Sequence, residues 1–418
     1  MPSPSTAADT VHPSDKAHGL VTALGIGQIC SWGSLYYSFP LIAEAMGKEL
    51  GWSKPDLYGA ATLGLILAAL AAYPVGVAVD RGHGRWVMGL SSLLAGGLLL
   101  LWSQVTSLPA FYVLVAALGA LQAATLYEPA FAVIARRVGP GHSRAGITAL
   151  TLWGGFASTV FIPLVQWLLN LWGWREALIA LAAVNAIICT GAYLLFIQPA
   201  RDARPTDNVN PGEQRERNRL AVQEALRRPV FWALLLSLTA YAAMFSAFTF
   251  HMYPLLRERG IDTASVVQAI ALIGPAQVAG RIVVSIFAAR ASMRMVGTAV
   301  VTVFPLAFGA LAYLHTDFIV VAAICVVYGG ANGIFTIVRG MVVPEMLSRH
   351  AYGAINGLLT VPMTFARAAA PVGAAALWAI GSSYDGVLVS ILVVALLLAA
   401  SFWLAAWLSR PKLQFLPE

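Results

Sequence analysis

Four ionisable side chains lie inside long apolar stretches of this sequence: Glu128, Arg281, Arg339 and Arg367. A charge in such a stretch is costly unless it faces a partner or a water-filled cavity. Three of the four are positive, so pairing Glu128 with one arginine leaves two cations in need of a counter-charge. Arginine presents a planar fork that binds a carboxylate through two hydrogen bonds. The pattern therefore predicts a binding site for a small organic anion.

The direction of the side chains separates the roles of the three arginines. Helical side chains lean toward the N-terminus of their own helix, which turns Arg281 toward the bilayer centre. Arg367 lies near the middle of its stretch. We expect these two to contact the solute. Arg339 lies near the end of its stretch, and we expect a structural or gating charge.

Two further residues have alternative interpretations. Glu128 is either a proton carrier or half of a permanent ion pair, because burial would raise its pKa and a nearby arginine would lower it. His251, alone in another apolar stretch, is either a proton carrier or a core histidine with satisfied hydrogen bonds.

The sequence offers no catalytic constellation. No Ser/His/Asp set, metal-spaced His/Cys cluster or GxxxxGK[ST] phosphate loop occurs. The three cysteines lie far apart in apolar stretches, where small core residues are expected. We therefore predict no enzyme activity, no cofactor and no metal. The net charge of +7 is spread over many loops, which argues against a nucleic-acid partner.

Composition indicates an all-α membrane protein. Of 418 residues, 59% are hydrophobic and 11% are charged, whereas soluble domains carry about 25% charge. About twelve stretches are long enough to cross a bilayer. They are predicted at 19–46, 57–79, 86–104, 109–135, 145–171, 176–198, 230–256, 264–288, 294–314, 318–343, 353–379 and 385–409.

The polar segments divide the chain. We expect an N-terminal tail over 1–18, a six-helix bundle over 19–198, a central loop over 199–229, a second bundle over 230–409 and a tail over 410–418. Part of the central loop, Glu213–Arg228, is either a surface helix or a solvated tether.

The placement of lysine and arginine predicts the orientation. The loops on one side hold Lys48, Lys54, Arg175, Arg257 and Arg259, and the other side, which includes the central loop, holds most of the remaining basic residues. Basic loops stay in the cytoplasm. We therefore expect both termini in the cytoplasm. We also expect the protein to be a monomer in contact with lipid in the cell inner membrane.

The two halves of the chain repeat each other weakly. The motif G-x5-T-x2-E at 119–128 aligns with G-x5-T-x2-R at 330–339, and Y-x2-P-L at 37–41 aligns with H-x2-P-L at 251–255. These matches have the same order in each half. They predict two similar bundles packed about an axis along the membrane normal, with a solute site between them.

The loop after the second stretch carries Gly76-x3-Asp80-Arg81-x3-Arg85. With the 6+6 pattern, this motif resembles the major facilitator superfamily over essentially the whole chain. The resemblance implies a solute transporter with that fold. Asp80 can pair with arginines and with a helix N-terminus, so Asp80, Arg81 and Arg85 are expected to latch the halves together and act in gating.

Within the superfamily, the sequence is most similar to the monocarboxylate and oxalate/formate transporter group. The similarity rests on residues 31–57 and on Gln277-Val-Ala-Gly-Arg281. It implies that Arg281 binds substrate, that Arg367 matches a second cation, and that Tyr127 lines the site. Relatives coupled to protons have an aspartate where this chain has Gln277, which cannot carry a proton. Proton symport and anion exchange therefore both stay open.

A helical spacing of four places three polar or aromatic residues of the first stretch on one face. These are Gln28, Trp32 and Tyr36, and we expect them, with Gln277, to line the solute cavity. The rival within transporters is efflux of a larger amphipathic compound. A membrane sensor or enzyme is a remote alternative.

Overall fold

The structure is a computed structural model that describes residues 15–138, 143–202, 211–287, 291–314, 317–347 and 352–409. These residues are almost entirely helical, and no strand occurs among them. Most of the two tails that the sequence predicts therefore lies outside the described residues. Ten segments of the described chain are long and apolar enough to cross a membrane. The first of them, Lys54–Ser103, is long enough for two successive crossings.

Six spans make up the first half. Their helices are Asp15–Trp32, Gly33–Tyr37 and Phe39–Leu50 (span one), Lys54–Ala78 and Val79–His83 (span two), Gly84–Ser103 (span three), Leu108–Thr125 and Tyr127–Val138 (span four), Ser143–Gly155 and Ala157–Trp172 (span five), and Trp174–Ala183, Val184–Cys189 and Thr190–Phe196 (span six).

The connection to the second half contains the helix Pro211–Arg227, so this part of the central loop is helical. The second half again has six spans. Their helices are Pro229–Glu258 (span seven), Thr263–Ala271 and Ile273–Phe287 (span eight), Met293–Tyr313 (span nine), Phe318–Val342 and Val343–Leu347 (span ten), Tyr352–Gly381 (span eleven) and Tyr384–Leu408 (span twelve).

Short polar residues begin several spans. Ser53 forms a capping box with Asp56 at the start of span two. The side chains of Asp262, Ser292 and Asp317 accept hydrogen bonds from the first turns of spans eight, nine and ten. Such side chains satisfy backbone N–H groups that have no partner within the helix. These caps explain why the apolar stretches break where they do.

The same pairs of spans pack together in each half. Span two packs on span four and span three on span six, while in the second half span eight packs on span ten and span nine on span twelve. Span one likewise contacts spans five and six, as span seven contacts spans eleven and twelve. The halves are therefore pseudo-symmetric, as the sequence repeats predict.

Glycines allow the closest of these contacts. A Cβ on Gly119 of span four would lie 2.0 Å from the carbonyl oxygen of Gly64 in span two. A Cβ on Gly280 of span eight would lie 2.4 Å from the carbonyl oxygen of Gly330 in span ten. Small residues let membrane helices approach backbone to backbone. The paired glycines thus hold spans two and four, and spans eight and ten, close together.

The two ends of the molecule differ. We call the end that carries Lys54 the Lys54 end, and the end that carries Asp80 and Arg136 the arginine-rich end. At the Lys54 end the halves are in contact: the Tyr58 hydroxyl donates to the Phe250 carbonyl at 3.0 Å, and the Tyr253 hydroxyl donates to Gln166 Oε1 at 3.0 Å. The molecule is therefore closed at this end.

Candidate substrate site

Span four is interrupted near the middle of the membrane. Its first helix ends at Thr125, Leu126 is extended, and a second helix begins at Tyr127. The Gln28 side chain donates to the carbonyls of Thr125 (2.8 Å) and Leu126 (3.3 Å). Irregular backbone is tolerated in a membrane where its polar groups find such partners. Gln28, predicted to line the cavity, is fully buried and supports this break.

Span one contains a wider π-helical turn at Gly33–Tyr37. Asn185 of span six donates to the Ser34 hydroxyl at 2.7 Å, and the hydroxyl donates in turn to the Cys30 carbonyl. Turns of this kind often occur at functional sites. The turn carries two neighbouring tyrosines, Tyr36 and Tyr37.

An aromatic cluster connects spans one and four. The Trp32 ring centroid lies 5.2 Å from that of Tyr36, 6.1 Å from Tyr37 and 5.1 Å from Tyr127. Tyr127 also stacks on Phe131 at 5.2 Å. Within the described chain, the indole nitrogen of Trp32 is buried without a hydrogen-bond partner, and the Tyr36 hydroxyl lies beside the side chains of Ser246 and Arg367. The indole N–H is a donor, so the cluster offers a hydrogen bond that a ligand could accept.

Arg281 lies at the boundary between the halves. Its side chain is 7% exposed, and its guanidinium donates to the Thr151 carbonyl of span five. Tyr37 and Tyr127 lie within electrostatic range of this cation. Gln277, one helical turn earlier, is also 7% exposed. The structure thus brings Arg281, Gln277 and Tyr127 to the same region.

Arg367 lies across from span one. Its Cζ atom is 6.0 Å from the ring centroid of Tyr36 and 5.6 Å from that of Phe245. Its backbone carbonyl accepts a hydrogen bond from Ser246 at 2.7 Å. Arg367 is half-buried, and no carboxylate pairs with it among the described residues. Its positive charge therefore lies against aromatic faces, an arrangement that favours a cation.

Sequence reasoning missed Tyr241 of span seven. Its hydroxyl donates to the Asn332 amide oxygen at 2.5 Å. Arg281, Arg339 and Arg367 all lie within electrostatic range of this hydroxyl. Positive side chains of spans eight, ten and eleven therefore lie in the wider surroundings of this tyrosine.

The spacing of aromatic residues along span seven could have singled out this tyrosine from the sequence. Tyr241 and Phe245 are four residues apart on span seven, and their rings stack at 6.0 Å. The same spacing singled out Gln28, Trp32 and Tyr36 on span one. Applying it to span seven would have found both residues.

The two charges that the sequence repeats align lie toward the arginine-rich end. Glu128 occupies the first turn after the break in span four and is exposed. Arg339 in the last turn of Phe318–Val342 is exposed as well. Among the described residues neither makes an ion pair. A carboxylate at a helix N-terminus interacts favourably with the helix dipole, which accounts for the place of Glu128.

His251 is fully buried, and both of its ring nitrogens have partners. Nε2 lies 2.8 Å from the Pro371 carbonyl, and Nδ1 lies 2.9 Å from the Tyr384 hydroxyl. Because a carbonyl only accepts, Nε2 carries the proton. The ring also packs on Tyr58 with centroids 4.1 Å apart. This is the arrangement of a core histidine with satisfied hydrogen bonds.

The motif at the arginine-rich end lies at the surface. Asp80 and Arg81 are exposed and Arg85 is half-buried. Among the described residues the Asp80 carboxylate makes no ion pair, but its backbone carbonyl accepts from Arg136. Arg136 also pairs with Asp202 at 3.1 Å, which ties the loop to the start of the central connection.

A largely apolar pocket lies next to the arginines on the side of the Lys54 end. It encloses about 490 Å³ of space between the halves. Tyr37 and Gln277 belong to its wall, together with the apolar side chains of spans five, seven and eight. Within the described residues, no group of histidine, cysteine and acidic side chains could hold a metal.

In the part of the chain that the structure describes, the helices form twelve spans in two pseudo-symmetric halves with a polar site at the boundary between them, the architecture of a polytopic membrane protein. The sequence profile described as Major Facilitator Superfamily matches residues 24–371. The chain belongs to this superfamily.

Two curated proteins are similar to this chain. Monocarboxylate transporter 13 of Rattus norvegicus is 30% identical over 175 residues, which is 41% of this chain and 39% of that protein. This match therefore spans less than two thirds of the rat protein. Monocarboxylate transporter 13 of Bos taurus is 26% identical over 364 residues, which is 82% of this chain and 79% of that protein.

Solved structures share the fold. The nucleoside transporter NupG superposes with a TM-score of 0.70 at 16% identity and covers 95% of this chain and 100% of its own. A bacterial homologue of the human lysosomal transporter Spinster, in an inward-facing and unoccupied conformation, superposes with a TM-score of 0.69 at 14% identity. The match covers 97% of this chain and 99% of that protein. Family and fold confirm the predicted class, an all-α membrane transporter and not an enzyme.

Proposed function

We propose that this protein is a secondary active transporter of a small organic anion, a mono- or dicarboxylate, that works by alternating access. The observation that carries the proposal is that two cations of the second half meet the first half at the boundary. Arg281 donates a hydrogen bond to the Thr151 carbonyl, and the Arg367 Cζ atom lies 6.0 Å from the ring centroid of Tyr36. Two like charges shielded from water repel one another. A bound anion relieves this repulsion.

The donors around the arginines support the same chemistry. Arg281 and Arg367 would bind the carboxylate, and the unpartnered indole N–H of Trp32 would add a hydrogen bond. Guanidinium groups bind carboxylates through paired, charge-assisted hydrogen bonds. The curated relatives named monocarboxylate transporters agree with this substrate class.

The difference between the two ends supports alternating access. Hydrogen bonds between the halves extend from Arg281 to the Lys54 end, whereas Glu128 and Arg339, toward the other end, are exposed. With the arginine-rich end and both termini assigned to the cytoplasm, this is an inward-facing arrangement in the cell inner membrane. Rocking of the halves would then break the contacts at the Lys54 end.

The coupling is either proton symport or anion exchange. Glu128 is the proton carrier we propose for symport, because it is accessible and lies at the start of the half-helix that carries Tyr127. His251 has both nitrogens engaged and is less suited to a proton cycle. Asp80, Arg81 and Arg85 retain their proposed role in gating. The partners are the anion, a proton or counter-anion, and lipid.

Thermal stabilisation of the purified protein tests the proposal. A ligand that binds the folded state raises its apparent stability by mass action. We expect mono- or dicarboxylates to raise the unfolding temperature of the native protein but not of Arg281→Gln. Arg201→Gln, at an exposed position, is the matched control. Stabilisation of Arg281→Gln equal to that of the control would contradict the proposal.

A further inference from the structure

Spans five and eight meet at the boundary between the halves, and each is interrupted close to the place of contact. Span five passes from its first helix to its second at Phe156, and span eight does so at Leu272. Each second helix also contains a proline, Pro163 in span five and Pro275 in span eight. Proline lacks the N–H group that continues the hydrogen bonds of a helix. The two spans therefore meet where both depart from regular helix.

One carbonyl of span eight receives its hydrogen bond from the other half. Pro275 has no N–H group, so it cannot donate to the Ala271 carbonyl four residues earlier. The hydroxyl of Thr159 in span five donates to this carbonyl at 2.9 Å. A carbonyl without a donor is costly inside a membrane. The interruption of span eight thus depends on a side chain of the first half.

The two halves also touch backbone to backbone at this place. A Cβ on Gly274 would lie 2.0 Å from Thr159 Oγ1 and 2.6 Å from the Gly155 carbonyl oxygen. Small residues permit such an approach between membrane helices. We call this contact the five–eight crossing, and it is formed by Gly155, Thr159, Ala271 and Gly274.

The contacts on either side of the five–eight crossing are made by long side chains. Toward the arginine-rich end Arg281 donates to the Thr151 carbonyl, and at the Lys54 end Tyr253 donates to Gln166. Thr159 lies between them on span five, roughly 10–12 Å along the helix from Thr151 and from Gln166. Long side chains release and rebuild a contact by changing rotamer. Backbone in direct contact has no such freedom.

We propose that the five–eight crossing is the fixed contact about which the two halves rock. When one body tilts on another, displacement grows with distance from the point of contact. The contacts of Gln166 and Arg281 then break and reform in alternation, while the hydrogen bond from Thr159 to Ala271 persists. This inference rests on the alternating access of the proposed function and is independent of the identity of the solute.

Thr159 thereby acts as a positioning residue. The second helix of span eight begins directly after the carbonyl that Thr159 holds, and this helix carries Gln277 and Arg281. Holding its start against span five keeps the proposed anion site at the boundary in both orientations of the halves.

A disulfide across the five–eight crossing tests whether the contact stays fixed. A Cβ on Gly155 would lie 3.0 Å from Val278 Cγ2 and would otherwise meet only the end of an arginine side chain. The pair Gly155→Cys and Val278→Cys is therefore close enough to be joined. A second pair, Gln166→Cys and Tyr253→Cys, is joined at the Lys54 end by a reducible bis-thiosulfonate reagent. Each joined protein is compared with itself after reduction, and the native cysteines are buried.

Hydrogen exchange at the Lys54 end measures the opening. Mass spectrometry follows the backbone amides of residues 249–262 in the purified full-length protein, without added solute. We expect the link between positions 166 and 253 to slow exchange at least about tenfold, and the disulfide between 155 and 278 to leave it within about twofold. A tenfold slowing by the disulfide between 155 and 278 would overturn the inference.

Two substitutions of Thr159 give a second test that needs no crosslink. Thr159→Val has a similar shape but removes the donor to the Ala271 carbonyl, whereas Thr159→Ser keeps the hydroxyl. We expect exchange over residues 268–277 to be about fivefold faster in Thr159→Val and native in Thr159→Ser. Equal exchange in the two variants would overturn the role of Thr159.

Failure of this inference and failure of the proposed function give different results. The exchange measurement contains no anion. Carboxylates that stabilise Arg281→Gln as well as the native protein would therefore contradict the proposed substrate and leave the five–eight crossing as the fixed contact. A disulfide between positions 155 and 278 that blocks opening would remove the fixed contact and leave the anion site standing.

Discussion

The Arg281 guanidinium of span eight donates a hydrogen bond to the Thr151 carbonyl of span five, across the boundary between the two halves. The acceptor of this hydrogen bond is a neutral backbone carbonyl. The contact must also change when the halves rock against each other. The proposed carboxylate site at Arg281 is therefore coupled to the relative position of the halves.

The break in span four is expected to depend on Gln28. Gln28→Leu removes the donor to the Thr125 and Leu126 carbonyls. A buried polar group left without its partner costs about 1–3 kcal/mol. We expect a lower unfolding temperature for Gln28→Leu in detergent and little change for Gln104→Leu, an exposed control. Unchanged stability of Gln28→Leu would show that the break is held in another way.

Gly119 is expected to tolerate no side chain. A Cβ there would meet the Gly64 backbone at 2.0 Å, whereas a Cβ on Gly97 would meet nothing within 4 Å. Backbone cannot move aside as a flexible side chain can. Gly119→Ala should abolish the monodisperse peak in size-exclusion chromatography, and Gly97→Ala should leave it unchanged. A monodisperse peak of normal height for Gly119→Ala would refute the close packing of spans two and four.

His251 is expected to act in stability and not in proton coupling. His251→Ala removes the hydrogen bonds to Pro371 and Tyr384, so its unfolding temperature should fall. The shape of the pH profile of transport should match that of the native protein, because the proton carrier that we propose is Glu128. A stable His251→Ala variant that has lost its pH dependence would contradict this assignment.

Lys54 is expected to hold the closed end. Its Nζ atom lies 4.3 Å from the Trp378 ring centroid and 4.7 Å from that of Tyr384, so a cation of the first half contacts two rings of the second. Such contacts contribute about 0.5–2 kcal/mol. In the variant Lys54→Gln we expect the closed end to open more often.

Labelling from one side measures this opening. A cysteine introduced as Thr249→Cys lies in the pocket, while Cys30, Cys189 and Cys325 are buried. A membrane-impermeant maleimide applied at the Lys54 end should react faster in Lys54→Gln than in the parent. Lys48→Gln, at an exposed position, should not change the rate. Equal rates in all three proteins would exclude a role for Lys54.

Much of the fold could be predicted from the sequence, because a helix in lipid must be long and apolar. Span seven was expected at 230–256 and is Pro229–Glu258. The interruption of span four at Leu126 was not foreseen, because its carbonyls are satisfied by Gln28, 97 residues away from Thr125. Hydropathy along the chain carries no information on such a partner.

The site could be predicted only in part. The cost of burying charge singled out Arg281 and Arg367, and both lie at the boundary between the halves. The same argument selected Glu128, which the structure leaves exposed because it follows the break. Tyr241 was not selected, since an aromatic residue in a membrane span is usually packing. Its position among three arginines depends on the tertiary arrangement of four spans.

Exchange of a labelled carboxylate in proteoliposomes tests the central claim most directly. The proteoliposomes are filled with the unlabelled anion, and the labelled anion is added outside. Native protein and the Arg201→Gln control should then accumulate the label inside by exchange. Arg281→Gln and Arg367→Gln should insert, fold and lose at least about a hundredfold of this activity, as removal of one member of a buried charged contact does. Native rates of exchange by a folded Arg281→Gln protein would contradict an anion site at this arginine.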